Sequence, residues 1–355
     1  VAPLGPLARG RLPVGVAGGT AGPRVKRGTV TALAISLAVG SAAIALVAVW
    51  VGPEALRGVA SIRPAWLAAA VALLATSWTA AGLRLRMLVS RAGGRLPLRR
   101  GVRAHLVGLF ASAVTPGGAG GMPAMVVTLT GQGLPQPRAW AVGIAATSAD
   151  LAFIAWTTPL ALVWLHRAGA LPDRPWVIVA AIVVTVAAAT AAVLLLVRLG
   201  WTRPIATVVL RGPLRRWRTR AIEGIDRMLA ARAALTAAPW GWHLSFHATV
   251  ALAWWTLFGV LWTVARGFGI EASPLTVVAG LTLVQGVGAV VPTPGGSGAI
   301  ELGATLALAG SEGRRGVALA VLTWRALTFY LLFLLGPAVG GYEVARASAR
   351  DGDDA

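Results

Sequence analysis

The string Thr-Pro-Gly-Gly-Ala-Gly at residues 115–120 recurs as Thr-Pro-Gly-Gly-Ser-Gly at residues 293–298. Each copy lies inside a long apolar stretch, where Pro and paired Gly break a helix and leave backbone polar groups without partners. Within a bilayer, such groups are tolerated only where the broken backbone is packed in protein or lines a wet cavity. Matching breaks in the two halves of a membrane protein indicate the binding site of a transporter.

The composition around these strings is that of an integral membrane protein. The chain is 57% hydrophobic and 12% charged, with a mean hydropathy of +0.74. We predict one all-α membrane domain over 29–345, a basic N-terminal tail over 1–28 and a short C-terminal tail over 346–355. The net charge of +20 does not indicate a nucleic-acid partner, because the basic residues concentrate in the predicted loops.

Charge also predicts the topology. Three regions are rich in Arg and Lys: the N-terminal tail with five, 84–103 with seven and the loop 201–240 with eight. Placing them in the cytoplasm requires the first broken segment, 102–131, to enter and leave the membrane on one side. Placing the C-terminus there as well, with Arg346 and Arg350, requires the same of the second broken segment, 274–310. The remaining apolar segments are then full spans, at 29–51, 65–89, 139–165, 176–199, 242–265 and 317–341.

The predicted fold is therefore an inverted repeat of six full spans and two re-entrant hairpins of opposite orientation, with both termini in the cytoplasm. Eight or more full spans are the alternative, because 274–310 is long enough for two short spans.

All but one of the 32 basic residues are Arg, a bias that favours a bacterial source and hence the bacterial plasma membrane. Residues 211–235 are predicted either to bind anionic lipid headgroups as an amphipathic helix or to form a solvated loop.

The second break predicts an anion site. The sequence after Pro294 and Gly295 continues through Gly296, Ser297 and Gly298 into an Ala-rich segment that contains Glu301. A helix starting there would present free N–H groups and a positive dipole end to a phosphate. Glu301 is expected either to cap those donors when no ligand is present or to bind a headgroup amine.

Two further charges stand out inside predicted spans, where each charge costs about 2.5–3.5 kcal/mol on insertion scales. Arg325 is predicted to bind a phosphate or to form a structural ion pair with Glu301 or Asp150. Asp150 is predicted to be an ion-pair or coupling residue. The first break, with Pro116, Gly117, Gly118 and Gly120, has no acid nearby; it is a second binding turn or serves only close backbone packing.

These residues resemble the transmembrane domain of bacterial lysylphosphatidylglycerol synthases and its stand-alone flippase-like relatives. The resemblance rests on the two Gly-rich strings, on Glu301, on the Arg325-containing last span and on Asp150. It departs at Met122, where relatives carry Glu or Gln, and at Ala146-Thr147, where they often carry Glu-Arg. It implies a lipid translocase fold, and it does not imply lipid lysylation, because these residues include no aminoacyl-transferase domain.

We therefore predict a translocase that moves an anionic phospholipid or a polyprenyl-phosphate-linked lipid between leaflets. No Walker A string is present, so ATP is not the expected driver, and no cofactor or metal is predicted. The alternatives are a membrane enzyme, such as a lipid-linked glycosyltransferase, and a non-catalytic partner in cell-envelope assembly. An enzyme of this kind needs paired acids or a metal at the membrane face, and the loops at 52–64 and 166–175 each carry a single acid.

Overall fold

The computed structural model describes residues 57–115, 117–171, 237–288, 296–308, 314–336 and 338–340, with isolated positions between 176 and 229. These ranges are helices joined by short turns, and no strand occurs within them. The fold prediction of an all-α membrane protein is confirmed for this part of the chain. The predicted spans 29–51 and 176–199, the loop 201–240 and both tails lie wholly or largely outside the described residues.

The first half of the described chain is a helix, a helical hairpin and a helix. Helix α1 spans Pro64–Arg91, the hairpin consists of α2 at Leu98–Val114 and α3 at Gly121–Gly131, and α4 spans Gln136–Arg167. Proline stands in the first turn of α1 and of α4, where its fixed φ favours helix and its missing N–H costs nothing. The turn between α2 and α3 carries the first Gly-rich string.

The second half repeats this order. Helix α5 spans Trp240–Gly267, the hairpin consists of α6 at Pro274–Gly288 and α7 at Ala299–Ala307, and α8 spans Arg314–Arg325. A π-helical turn at Ala326–Tyr330 continues α8, and helix resumes over 331–336. The second Gly-rich string lies between α6 and α7.

The leading helices of the two halves, α1 and α5, pack antiparallel along their length. Arg91 at the end of α1 lies 5.9 Å from the ring centre of Trp242, near the start of α5. At the other end, a Cβ on Gly267 would meet Ile62 at 2.6 Å. These two equivalent helices therefore run in opposite directions, as an inverted repeat requires.

Small residues bring the helices together, as is common in membrane proteins. A Cβ added at Gly101 of α2 would lie 2.5 Å from the carbonyl oxygen of Gly82 in α1. Within the first hairpin, a Cβ at Gly121 would lie 1.9 Å from the Ser112 hydroxyl and 3.1 Å from the Gly108 carbonyl oxygen. The two arms therefore touch at backbone distance, and this fixes the position of the turn between them.

Among the described residues, four helices are long and apolar enough to cross a bilayer: Pro64–Arg91, Gln136–Arg167, Trp240–Gly267 and Gly316–Gly340. Large apolar side chains on their outer faces are exposed, for example Trp156 at 80% and Leu160 at 70%, as expected of a surface that contacts lipid. The second arms of the hairpins, α3 and α7, have 11 and 9 residues, fewer than the roughly 17 that a span needs. Their short length agrees with re-entrant hairpins, and re-entry itself remains a prediction.

Candidate functional site

The first Gly-rich turn is held by neutral hydrogen bonds. The Thr115 hydroxyl accepts the Gly120 N–H at 2.9 Å and donates to the Ala111 carbonyl oxygen at 2.7 Å. The Ser112 hydroxyl donates to the Gly118 carbonyl oxygen at 3.3 Å. Gly117 and Gly118 have φ values of +59° and +70°, which residues with a Cβ rarely adopt. Pro116 lies outside the described residues.

The second Gly-rich turn is held by a carboxylate. Glu301, in the first turn of α7, accepts the Gly298 N–H through Oε2 at 2.6 Å. Its other oxygen, Oε1, lies 2.7 Å from Nε of Arg325. The carboxylate therefore joins the N-terminus of α7 to a cation on another helix. Pro294 and Gly295 lie outside the described residues.

Arg325 is the cation of this cluster, and its side chain is only 6% exposed. Besides Glu301, its guanidinium donates to the Ser297 hydroxyl at 3.3 Å and lies 4.1 Å from the ring centre of Phe329. The π-helical turn that begins at Ala326 follows directly; such turns often occur at functional sites. Of the two ion-pair partners open from the sequence, the structure gives Arg325 the carboxylate of Glu301.

Asp150 forms a separate ion pair. Its Oδ1 contacts Nη1 of Arg84 on α1 and also accepts Nε1–H of Trp254 on α5 at 2.8 Å. Three helices therefore meet at this carboxylate. The proposed pairing of Asp150 with Arg325 is not the one observed, because Arg84 and Glu301 take those places.

Both clusters face one cavity of about 540 Å³. Five of the predicted site residues line it, and they come from both halves of the chain: Gly117, Gly118, Asp150, Gly296 and Arg325. Four other predicted site residues are described but do not line the cavity: Gly120, Ser297, Gly298 and Glu301. Ser297 accepts a hydrogen bond from Arg325, and Glu301 accepts the Gly298 N–H at the start of α7. The two Gly-rich turns, far apart in sequence, thus share a single space.

Sequence reasoning missed several of the cavity residues. The charge pattern places Arg84 among the cytoplasmic arginines of 84–103, whereas α1 continues to Arg91 and Arg84 is buried, with 4% of its surface exposed. Ser77, His105, Trp254 and Gln285 also line the cavity. The available signal was the position of Arg84 inside the predicted span 65–89, where a charge calls for a partner.

The charged residues that line the cavity are Arg84, Asp150 and Arg325, set in a largely apolar wall. Glu301 does not line the cavity but pairs with Arg325, and the two Arg side chains offer several donors that suit phosphate oxygens. Within the described residues, no group of three or more His, Asp or Glu side chains could hold a metal ion. The absence of a metal cofactor remains a prediction.

Comparison with known proteins identifies the family. A family model described as "Lysylphosphatidylglycerol synthase TM region" matches residues 32–336. A search of curated proteins finds no match. Because the matched residues cover most of the chain, the protein belongs to the lysylphosphatidylglycerol synthase TM region family. It is therefore a multi-pass membrane protein of a family tied to lipid metabolism or translocation.

Proposed function

We propose that this family member is a translocase that moves an anionic phospholipid or a polyprenyl-phosphate-linked lipid between leaflets, and not an enzyme. The observation that carries the proposal is the shared cavity, in which both Gly-rich turns and two buried arginines meet. Its volume of about 540 Å³ lies within the usual range for small-ligand pockets. It would hold a headgroup, while the acyl or prenyl chains remain in the bilayer.

The phosphate would bind at the second turn. There the Arg325 guanidinium lies beside the N-terminus of α7, so a fixed cation and a positive dipole end act on the same point. The Glu301 carboxylate contacts both donors, the Gly298 N–H and the Arg325 guanidinium. An arriving phosphate would compete with this carboxylate, and the released Glu301 could then pair with a positively charged part of a headgroup.

The first turn would complete the site from the opposite half. Gly117 and Gly118 line the cavity without bringing any charge of their own. The Arg84–Asp150 pair would supply the second charged contact, held in place by Trp254. A site assembled at the interface of inverted halves can be opened to either side of the membrane by relative movement of those halves. A lipid gradient, an ion gradient or passive equilibration would drive the movement.

The test is lipid movement in proteoliposomes. Wild type, Arg325→Ala and Arg266→Ala are reconstituted with fluorescent phosphatidylglycerol, and outer-leaflet dye is quenched with dithionite. Arg266 is a matched control, because it also forms an ion pair, with Glu271 at 2.6 Å, and lies over an aromatic ring, that of Trp66 at 5.8 Å. It does not line the cavity.

We expect movement above that of empty vesicles in wild type and Arg266→Ala. In Arg325→Ala we expect a rate lower by about tenfold or more, the scale of losing one charge-assisted hydrogen bond. Equal rates in wild type and Arg325→Ala would contradict the assigned site. Absence of movement with both phosphatidylglycerol and a polyprenyl-phosphate lipid would contradict the function.

A further inference from the structure

A second, smaller pocket lies at the open end of the first hairpin, away from both Gly-rich turns. It has a volume of about 230 Å³ and is bounded by the α1–α2 loop on one side and the α3–α4 loop on the other. Its polar lining groups come from Arg95, Gln132 and Arg138 together with loop backbone. None of these residues lines the larger cavity shared by the two Gly-rich turns, which we call the central cavity.

The charge of this pocket is one-sided. Arg95 and Arg138 both line it and are exposed. None of the described lining residues is acidic, and no ion pair of either arginine occurs within the described part of the chain. Two guanidinium groups beside one concave space form a site for an anion with several oxygens.

Gln132 gives independent evidence of a missing ligand. Both polar atoms of its side chain, Nε2 and Oε1, are buried and have no hydrogen-bond partner among the described residues. A buried amide without partners costs free energy, and such groups in native structures generally receive a partner from a ligand or an ordered water. Gln132 is one of the residues that line the same pocket as the two arginines.

The start of α4 adds a third contribution. This 32-residue helix begins next to the pocket, after Pro135, with no side-chain cap and no acid in its first turn. Its free N–H groups and positive dipole end are therefore not neutralised by the described chain. Arg138 lies in the same first turn, so the dipole and a side-chain cation favour the same anion.

We propose that this pocket binds a phosphate group, with Arg95 and Arg138 as cationic ligands and the Gln132 amide as a neutral donor. The site is separate from the central cavity and does not depend on the translocase function. The phosphate comes either from the headgroup of an anionic lipid or from a free phosphate. Both sources present the same oxygens to the pocket, and the experiment distinguishes them.

The test measures hydrogen–deuterium exchange of the full chain in detergent, with and without dioctanoyl phosphatidylglycerol or inorganic phosphate. The readout is protection of residues 92–97 and 132–139, which reports this pocket and not the central cavity. Arg95→Gln/Arg138→Gln is compared with Arg86→Gln/Arg99→Gln. The second pair removes the same charge from exposed arginines that do not line either pocket.

We expect local protection in wild type and in the control pair, and an apparent affinity weaker by about tenfold or more in Arg95→Gln/Arg138→Gln. Protection by the lipid that inorganic phosphate does not displace identifies a lipid headgroup, and protection by inorganic phosphate alone identifies a free phosphate. Equal weakening in the two double variants would overturn the proposal, because it would mean a diffuse basic surface. Absence of local protection by either probe in wild type would also overturn it.

Gln132→Leu provides a second readout. It removes the buried amide and should weaken protection by the probe while raising the ligand-free melting temperature, since an apolar group replaces polar atoms without partners. A purely structural Gln132 would give the opposite result, a lower melting temperature with unchanged binding.

Discussion

The two Gly-rich turns have nearly the same sequence but are stabilised by different interactions. In the first, the hydroxyl groups of Ser112 and Thr115 bond to the backbone of the turn, and the arms touch at Gly121. In the second, the Glu301 carboxylate and the Arg325 guanidinium make the corresponding contacts. The charged pair of the first half, Arg84 and Asp150, sits on the flanking helices α1 and α4 and makes no described contact with the first turn.

This difference indicates that the two turns play different roles in one binding site. A turn fixed by close packing and neutral hydrogen bonds keeps its shape whatever charge enters the cavity. A turn fixed by an ion pair exchanges partners when a charged ligand arrives, because the ligand competes for the same donors. We therefore expect the first turn to be the rigid wall of the cavity and the second to be the one that responds to substrate.

The largest effect should come from Glu301→Ala. It leaves buried Arg325 without its carboxylate and removes the cap of Gly298, so we expect destabilisation of about 3 kcal/mol, at the low end for broken buried pairs because the Glu301 side chain is 30% exposed. The melting temperature in detergent and hydrogen exchange over 296–300 measure it. Glu271→Ala is the matched control, with an expected cost of about 0–1 kcal/mol for an exposed pair. An equal rise in hydrogen exchange at both turns would contradict the claim that only the second turn depends on the ion pair.

A smaller effect, confined to the first hairpin, is expected for Gly121→Ala. The new Cβ would lie 1.9 Å from the Ser112 hydroxyl oxygen, and overpacking of this kind costs about 1–3 kcal/mol. Gly131→Ala in the same helix meets nothing within 4 Å and should not lower the melting temperature, because Ala favours helix over Gly. Adding Ser112→Ala to Gly121→Ala should restore part of the loss. Failure of this rescue would mean that another contact fixes the arms.

The smallest effect should come from Thr115→Val, which keeps the side-chain shape but removes the hydroxyl. The Gly120 N–H then loses its acceptor, at a cost of about 1 kcal/mol. Faster exchange of the Gly120 amide, with no change over 296–300, is the expected sign. Thr115→Ser, which retains the oxygen, should exchange like wild type, and faster exchange in that variant would argue that the methyl group and not the hydroxyl holds the turn.

Much of the fold follows from apolar segment length. The predicted spans 65–89, 139–165 and 242–265 correspond to Pro64–Arg91, Gln136–Arg167 and Trp240–Gly267. The breaks at the Gly-rich strings also divide the helices as Pro and Gly chemistry predicts. These features depend on local sequence, which the chain displays directly.

The pairing of charges could not be predicted in the same way. Hydropathy shows that Asp150 and Arg325 lie deep in spans, but the direction in which each points depends on helix rotation and on which helices cross there. Arg84 illustrates the limit, because the same Arg serves equally well as a loop charge or as the buried partner of Asp150 until the end of α1 is known. A single charged residue in the sequence does not show which residue it will face, whereas the repeated Gly-rich string marks corresponding positions in the two halves.

The π-helical turn at Ala326–Tyr330 sets the phase of the last helix. A π turn holds more residues than an α-helical turn, so the side chains beyond it point in other directions than in an unbroken α-helix. With this change of direction, Arg325 reaches the second turn while Phe333 packs edge-on against Phe110 of the first hairpin, at 6.0 Å between ring centres. The last helix therefore contacts both halves of the chain, at Glu301 through Arg325 and at Phe110 through Phe333, so we expect a ligand that draws Arg325 away from Glu301 to affect the first hairpin as well.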